Sequence, residues 1–448
     1  MARPLLQAFA ATAAIAMVPL ATGAMAQVDS NSYRELDLFM DVYTRVKSEY
    51  VDKVDDKTLV KGAIQGMLAA LDPHSSYVDA LDFENMRIQT EGNYGGLGLT
   101  VTQEDGAVKV IAPTEDSPAA RAGIKAGDYI THINGKLIFG EALDEAIEGM
   151  RGQPGTKVTL TVVRPGRDKP MELTMAREVI VQKPVKWEVK NGVGIININT
   201  FSASTGADTR AAIMAIDKSL GRKPTGYIVD LRSNGGGLLT QAIEVSDAFL
   251  ERGEIVSQRG REKADIERYY ARAGDLAGGL PIIVLVDAGT ASASEIVAGA
   301  LQDHHRAIVM GERTFGKGSV QTLLQMGPTN ALRLTTARYF TPSGRSVQEG
   351  GIEPDLSVPQ LSDEDYKSRP VFREADLRRH LINEAKVDNK VLEEDAKTDP
   401  RFAATAEQLK KQGVEDFQLD YAVKTIARLA APAQVAAAAT PAKAAAKR

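Results

Sequence analysis

Two stretches of this chain place a hydroxyl and an amine among residues that favour chemistry. One is Asp287-Ala288-Gly289-Thr290-Ala291-Ser292-Ala293-Ser294-Glu295-Ile296; the other is Gly311-Glu312-Arg313-Thr314-Phe315-Gly316-Lys317-Gly318-Ser319-Val320-Gln321. Each follows a short apolar run of strand texture, Pro281 to Val286 and Ala307 to Met310, and in open α/β sheets ligand groups collect beyond the carboxyl ends of the strands. Ser292 has two readings. With Glu295 it makes a Ser-x-x-Glu capping box, its hydroxyl accepting from the helix backbone. As a nucleophile, it opens a helix whose unpaired N–H groups, that of Ala293 among them, can stabilise a tetrahedral oxyanion. The second reading requires a base.

The base cannot be a thiol, because the chain has no cysteine, and it has only five histidines. His304 and His305 fall at the far end of the helix that Ser292 opens, about 18 Å away at 1.5 Å per residue. His74, His132 and His380 stand in unrelated contexts, and no His-Glu-x-x-His pattern suggests zinc. An amine remains. Gly311 to Lys317 matches the phosphate-loop pattern up to its lysine, but Gly318 replaces the required Ser or Thr, and Gly327-Pro328 comes too soon for a phosphate-binding helix. Lys317 is then either a solvated surface residue or the general base for Ser292. As a base it must be neutral, which burial among Phe315, Gly316, Gly318 and Val320 would favour. Gln321, four residues on, shares a face with Lys317 in either a helix or a strand and could hold the amine without adding charge. A third strand-to-turn segment, Asp230-Leu231-Arg232-Ser233-Asn234-Gly235-Gly236-Gly237, is either a tight turn or a backbone donor to the oxyanion, with Gly236 the candidate.

The elements that must position these groups are legible in outline. With 448 residues, 43% hydrophobic and 25% charged, the chain has ordinary globular composition and length for two to four domains. Its net charge of −5 and lack of a basic, aromatic-laced stripe argue against nucleic acid as a partner. Arg3, the apolar run from residue 5 to 21 and Ala24-Met25-Ala26 read as a cleaved signal peptide over 1–26, with no stable membrane anchor after cleavage. Residues 27–92 carry helical periodicity (Leu36, Phe39, Met40, Tyr43, Val46; then Leu59 to Leu71). Residues 93–178 change to short strands with one helix signal at Ser117-Pro118-Ala119-Ala120. From 179 to 361 buried strands alternate with helices, predicting a mostly parallel α/β core. Residues 362–429 read as charged and helical (Glu364 to Val387, Ala403 to Leu429), and 430–448 as a disordered Ala/Pro/Lys tail.

Taken together these segments resemble the carboxyl-terminal processing peptidases, the tail-specific serine proteases of the S41 family. The resemblance rests on Leu71-Asp72-Pro73-His74-Ser75-Ser76-Tyr77, the Asp-Leu-Arg-x-Asn-x-Gly-Gly turn, the Ser-Ala-Ser-Glu block and the Gly-Lys-Gly-x-Val-Gln block, in that order. It implies an α/β protease core of crotonase/ClpP-like β-α layers, with an inserted β-rich PDZ domain and helical N- and C-terminal regions. It implies Ser292 as nucleophile, Lys317 as base and Gln321 as support, with backbone donors at Ala293 and Gly236; Ser294 is the near competitor as nucleophile. Gly235 stands where the family often has proline, and Thr290 where it often has serine.

The PDZ resemblance rests on Tyr94-Gly95-Gly96-Leu97-Gly98-Leu99 and on Ser117 to Gly135. In such modules a glycine-rich loop offers N–H groups to a peptide's terminal carboxylate, and the peptide adds as a strand; Gly95, Gly96, Leu97, Gly98 and Leu99 are the expected contacts. Arg151 matches a PDZ arginine that in related enzymes couples peptide binding to the catalytic site. The expectation is an exported, periplasmic endopeptidase that recognises protein C-termini and cleaves upstream without a cofactor or metal. It would form a homo-oligomer through its helical ends and could work with an adaptor protein. The rival reading is a catalytically inactive PDZ adaptor of the cell envelope.

Overall fold

A computed structural model describes residues 30–104, 106–140, 142–262, 264–366, 368–384 and 402–438. The expected signal peptide and the last ten residues of the expected tail lie outside these. The chain divides into two compact units, residues 1–66 and 67–448. In the first, the helix Ser30–Glu49 precedes Asp56–Ala69, which runs on into the second unit. The Tyr43 hydroxyl donates to Asp56 at 2.7 Å and the Lys47 amine pairs with the same carboxylate. The periodic residues Leu36, Phe39, Met40 and Val46 are exposed.

Within the second unit, residues 99–176 form an antiparallel sheet in the order Leu99–Glu104, Ala107–Pro113, Tyr129–Ile133, Lys157–Val163, Met171–Ala176. Alternation does the sorting: Val158, Leu160 and Val162 point into a core shared with Val108, Val110, Ile130 and the helix residues Ala146 and Met150. The Ser117 signal holds, its hydroxyl accepting from Ala120 N–H at 3.2 Å over the turn Pro118–Arg121. A ribbon of Asn93–Gly96 with Glu178–Val181 joins the two ends of the module.

The α/β core is a six-stranded sheet in the order Val185–Lys190, Val193–Ile198, Tyr227–Asp230, Ile282–Val286, Ile308–Gly311, Leu356–Ser357, parallel except for its first pair. Because side chains alternate, each central strand feeds two cores. Ile196, Ile198, Tyr227, Val229, Ile282, Val284 and Val286 face the helices Thr205–Leu220, Leu239–Asp247 and Ala293–Asp303. Val193, Ile195, Ile228, Ile283 and Leu285 face the other way, onto Ala422, Val423 and Ile426 of the helix Phe417–Ala438. A second sheet sets Ser319–Gln325 and Glu254–Arg259 against the long strand Ala331–Phe340, with Ser76–Val78 pairing its start.

The C-terminal third departs from expectation. The described residues of Glu364 to Val387 hold only the 3₁₀ turn Glu374–Asp376, because these side chains are used in long-range contacts; Glu374 is fully buried. The final helix runs to Ala438, past the expected start of the tail, through residues of high helix propensity. Its apolar face, expected to pair between chains, is spent inside its own fold. Ile426→Ala is expected to cost about 2–4 kcal/mol, as for other buried large-to-small changes, and urea denaturation of the full chain measures it.

Candidate active site

Ser292 ends the loop that leaves the Ile282–Val286 strand and begins the helix Ala293–Asp303. Its backbone sits at φ +55°, ψ −114°, a region costly for any residue with a Cβ and met at functional turns. Small neighbours, Ala291 and Ala293, tolerate the sharp bend. The capping box is only half made. Glu295 reaches back to accept from the Ser292 N–H at 2.7 Å, while the Glu295 N–H goes to the Ser292 carbonyl at 2.9 Å. The Ser292 hydroxyl makes no cap hydrogen bond and is left available. Ser294, the rival nucleophile, is fully buried, and its hydroxyl donates to the Asn234 carbonyl at 2.9 Å. It anchors the glycine turn.

Glu295 does more than cap. Its carboxylate is completely buried, and it also accepts from the Thr314 hydroxyl at 2.5 Å, the Gly316 N–H at 2.7 Å and the Lys317 N–H at 3.0 Å. The backbones of Ser292 and Lys317 therefore converge on one oxygen, Oε2. Burial pushes the Glu295 carboxyl up to about 7, against the pull of those same hydrogen bonds. Tyr339, also buried, places its hydroxyl at the carbonyls of Ser292 (3.2 Å) and Lys317 and 3.5 Å from Glu295. Nothing in the spacing of the sequence pointed to Tyr339.

The Lys317 amine has no hydrogen-bond partner among the described residues, and none joins it to Ser292. Burial is the largest influence on it and lowers its pKa; Arg333 lowers it further, while Glu374, Glu295 and Asp72 pull it up. Asp72 and Glu374 come from segments far away in the chain. Asp72 accepts from His74 N–H, Ser75 N–H and the Ser75 hydroxyl, each at 2.8 Å, and from Thr335 at 3.1 Å. His74 Nε2 lies 2.9 Å from both oxygens of Glu374. His74 thus stands on a carboxylate that faces Lys317, contrary to the expectation that its context is unrelated; a contact across 300 residues leaves no trace in spacing.

Two expected contacts are not made among the described residues. Gln321 makes no hydrogen bond to Lys317: its amide donates to Ser319 (3.0 Å) and Thr335 (3.3 Å). Lys317 precedes the strand, and a register shift between Val320 and Gln321 breaks the alternation on which the shared face depended. Gly236 is packed where expected, with φ +99° and space for a Cβ blocked by Ser292 Cβ and Ala293 N at 2.9 Å. Its own N–H, however, donates to Asn234 Oδ1 at 2.9 Å. The Ala293 N–H, first in its helix, has no such partner.

At the peptide end, Gly95 and Gly96 lie in the ribbon strand, and Leu97 and Gly98 form the turn into Leu99–Glu104. The N–H groups of Leu97 and Gly98 have no acceptor among the described residues. Gly98 has φ +71°, and any Cβ there would meet Ser117 Cβ at 2.4 Å. Leu99, Val101, Leu143 and Ile147 are half-buried beside this turn, on an edge strand and its flanking helix. Arg151 pairs with Glu148 at 3.1 Å, bonds Asn85 on the helix Ala80–Glu91, and lies 5.4 Å over the Tyr94 ring. It ties the module to that helix and makes no contact with Ser292 or Lys317.

The peptidase family S41 profile matches residues 192–358, a PDZ profile residues 109–164, and that of the N-terminal domain of the activating protease CtpB residues 10–81. A carboxy-terminal-processing protease of Bartonella bacilliformis is 50% identical over 355 residues, 79% of this chain and 82% of that protein. Carboxy-terminal processing protease CtpB of Bacillus subtilis is 34% identical over 76% of this chain and 71% of its own length. Among solved structures, the photosystem II D1 C-terminal processing protease is 29% identical, covering 74% of this chain and 89% of that one at a TM-score of 0.43.

Two outcomes follow from the geometry. Glu295→Gln keeps the shape but turns amide protons toward backbone donors, so turnover should fall by roughly 10²-fold or more, read as kcat. Lys317 has a lowered pKa in the fold, so its charged form is disfavoured there and stability rises with pH across the window between that value and the ordinary 10.5. Lys317→Met should therefore raise the melting temperature by a few degrees at acidic to neutral pH, with the gain vanishing as pH approaches the ordinary lysine value; melts across that range test this.

Proposed function

The chain belongs to the carboxy-terminal processing proteases of peptidase family S41, serine-type peptidases with a PDZ domain, and from that premise we propose that it is an exported, periplasmic endopeptidase that grips a free protein C-terminus and cleaves upstream with Ser292 and Lys317. The observation that carries this reading is the pair itself: a strained serine with an unused hydroxyl and a half-buried amine without a hydrogen-bond partner among the described residues, tied through their backbones to one carboxylate. Neutral Lys317 takes the Ser292 proton as Oγ attacks the scissile carbonyl. The negative charge that develops on the carbonyl oxygen falls to the Ala293 N–H. Lys317 then protonates the departing amine, and in the second half activates the water that hydrolyses the ester. Catalytic pairs are often open without substrate, which accords with the missing Ser292–Lys317 hydrogen bond.

The unpaired N–H groups of Leu97 and Gly98, beside the half-buried Leu99, Val101, Leu143 and Ile147, suit a terminal carboxylate followed by an apolar side chain. Arg151 couples that occupancy to the protease through Asn85; Arg151→Ala leaving peptide-stimulated turnover intact removes this role. Export rests on the leader-like residues 1–26, and homo-oligomerisation on the exposed Tyr33, Leu36, Phe39 and Met40 of the first helix, which a monomeric mass by light scattering at micromolar concentration would contradict.

One experiment tests the central reading. A peptide with an apolar C-terminus is offered free and amidated to the wild type and to Ser292→Ala. Amidation should weaken recognition about 10- to 150-fold, the worth of a charge-assisted hydrogen bond of roughly 1.5–3 kcal/mol. Ser292→Ala should lose cleavage of both peptides; wild-type rates from it would sink the assignment.

A further inference from the structure

Away from Ser292, a cavity of about 520 Å³ opens beside the end of the strand Ala331–Phe340. Its lining holds three guanidinium groups, Arg259, Arg313 and Arg345, and two carboxylates, Glu353 and Glu384. Strand register also sets Arg259 directly opposite Arg338 on the neighbouring strand, a like-charge pairing that normally costs stability. Three of these four arginines have carboxylate partners. Arg313 pairs with Glu353 at 3.2 Å, Arg338 with Glu384 at 3.1 Å and Arg345 with Asp303 at 3.4 Å.

Arg259 differs. Its side chain makes no hydrogen bond or ion pair with any described residue. Its guanidinium carbon lies over the Phe340 ring, 3.8 Å from the centroid, and its Nε is buried without an acceptor. A guanidinium carries five N–H donors in a planar fork that matches carboxylate and phosphate oxygens. The ring contact restrains the fork in advance, so a ligand has less side-chain freedom to remove.

We propose that this cavity is an oxyanion-binding site, in which a phosphate or carboxylate group sits on the Arg259 fork with Arg345 as the second cation. An anion there would offset the charge of Arg259, which stands opposite Arg338 on the neighbouring strand and, unlike Arg338, has no carboxylate of its own. The site shares no residue with the Ser292 and Lys317 machinery, so it can be tested without an activity assay and stands or falls separately from the proposed reaction.

The test is thermal denaturation of the full chain in inorganic phosphate and, separately, in acetate, with ionic strength held constant by chloride. A saturable rise in melting temperature with either anion is expected, and the arm that saturates at lower concentration identifies the ligand chemistry. Arg259→Gln should weaken the apparent affinity at least tenfold. Arg345→Gln, altered at a side chain more than a third exposed and therefore safe for folding, should weaken it as well. Should Arg259→Gln fail to fold, Arg259→Lys keeps the charge, loses the fork, and should still bind more weakly than wild type. No saturable rise with either anion, or the same rise in the wild type and the arginine variants, overturns the proposal.

Discussion

The site depends on one buried anion. The Glu295 carboxylate is removed from water entirely, and a group in that position is tolerable only if hydrogen bonds replace its hydration. Here the donors are the N–H groups of Ser292, Gly316 and Lys317 and the Thr314 hydroxyl. Because those donors come from two separate loops, satisfying one acceptor brings both loops to the same point. The strained φ of Ser292 follows from this, since the bend that frees the serine hydroxyl also aims its N–H at Glu295. Thr314, in turn, accepts from the Ile352 N–H at 2.7 Å, which extends the anchorage to the segment leading into the last strand of the sheet.

The electrostatics around Lys317 are a contest decided by burial. Three carboxylates, Glu374, Glu295 and Asp72, favour the ammonium form, and each is itself engaged elsewhere: Glu374 with His74 and Gln348, Asp72 with Ser75 and Thr335, Glu295 with its four donors. Carboxylates so occupied stabilise a nearby cation less than free ones, and none forms a direct ion pair with the amine. Arg333 adds repulsion from the other side. The result is a lysine whose charged form is disfavoured by its position, with no hydrogen-bond partner among the described residues to displace before it accepts a proton.

Much of this was legible in the sequence, and the limits have physical reasons. The strands at 227–230, 282–286 and 308–311 and the helices at 239–247 and 293–303 fall within a few residues of their apolar runs, because buried parallel strands and capped helices are locally encoded. Ser292 and Lys317 were found by residue type at strand ends. What local pattern could not supply was anything made by distant chain segments. The pairing of Gln321 with Thr335, the approach of His74 to Glu374 and the insertion of Tyr339 all belong to tertiary contacts. The capping box shows the same limit from the other side. Its residues were read from the pattern, yet only the Glu295 half is made, and that carboxylate also serves the opposite loop.

Arg232 stands immediately before the Ser233 to Gly237 turn, and its guanidinium is clamped between Asp230 at 2.7 Å and Asp416 at 2.7 Å, with Gln418 at 3.1 Å. Asp416 and Gln418 lead into the helix that covers the second face of the core sheet. A chain made from its N-terminus therefore possesses both reactive residues long before it possesses the segment that closes the sheet and pins the turn beside them. The clamp on Arg232 and the cover of that sheet face are thus both supplied by residues that follow Ser292 and Lys317 in the chain.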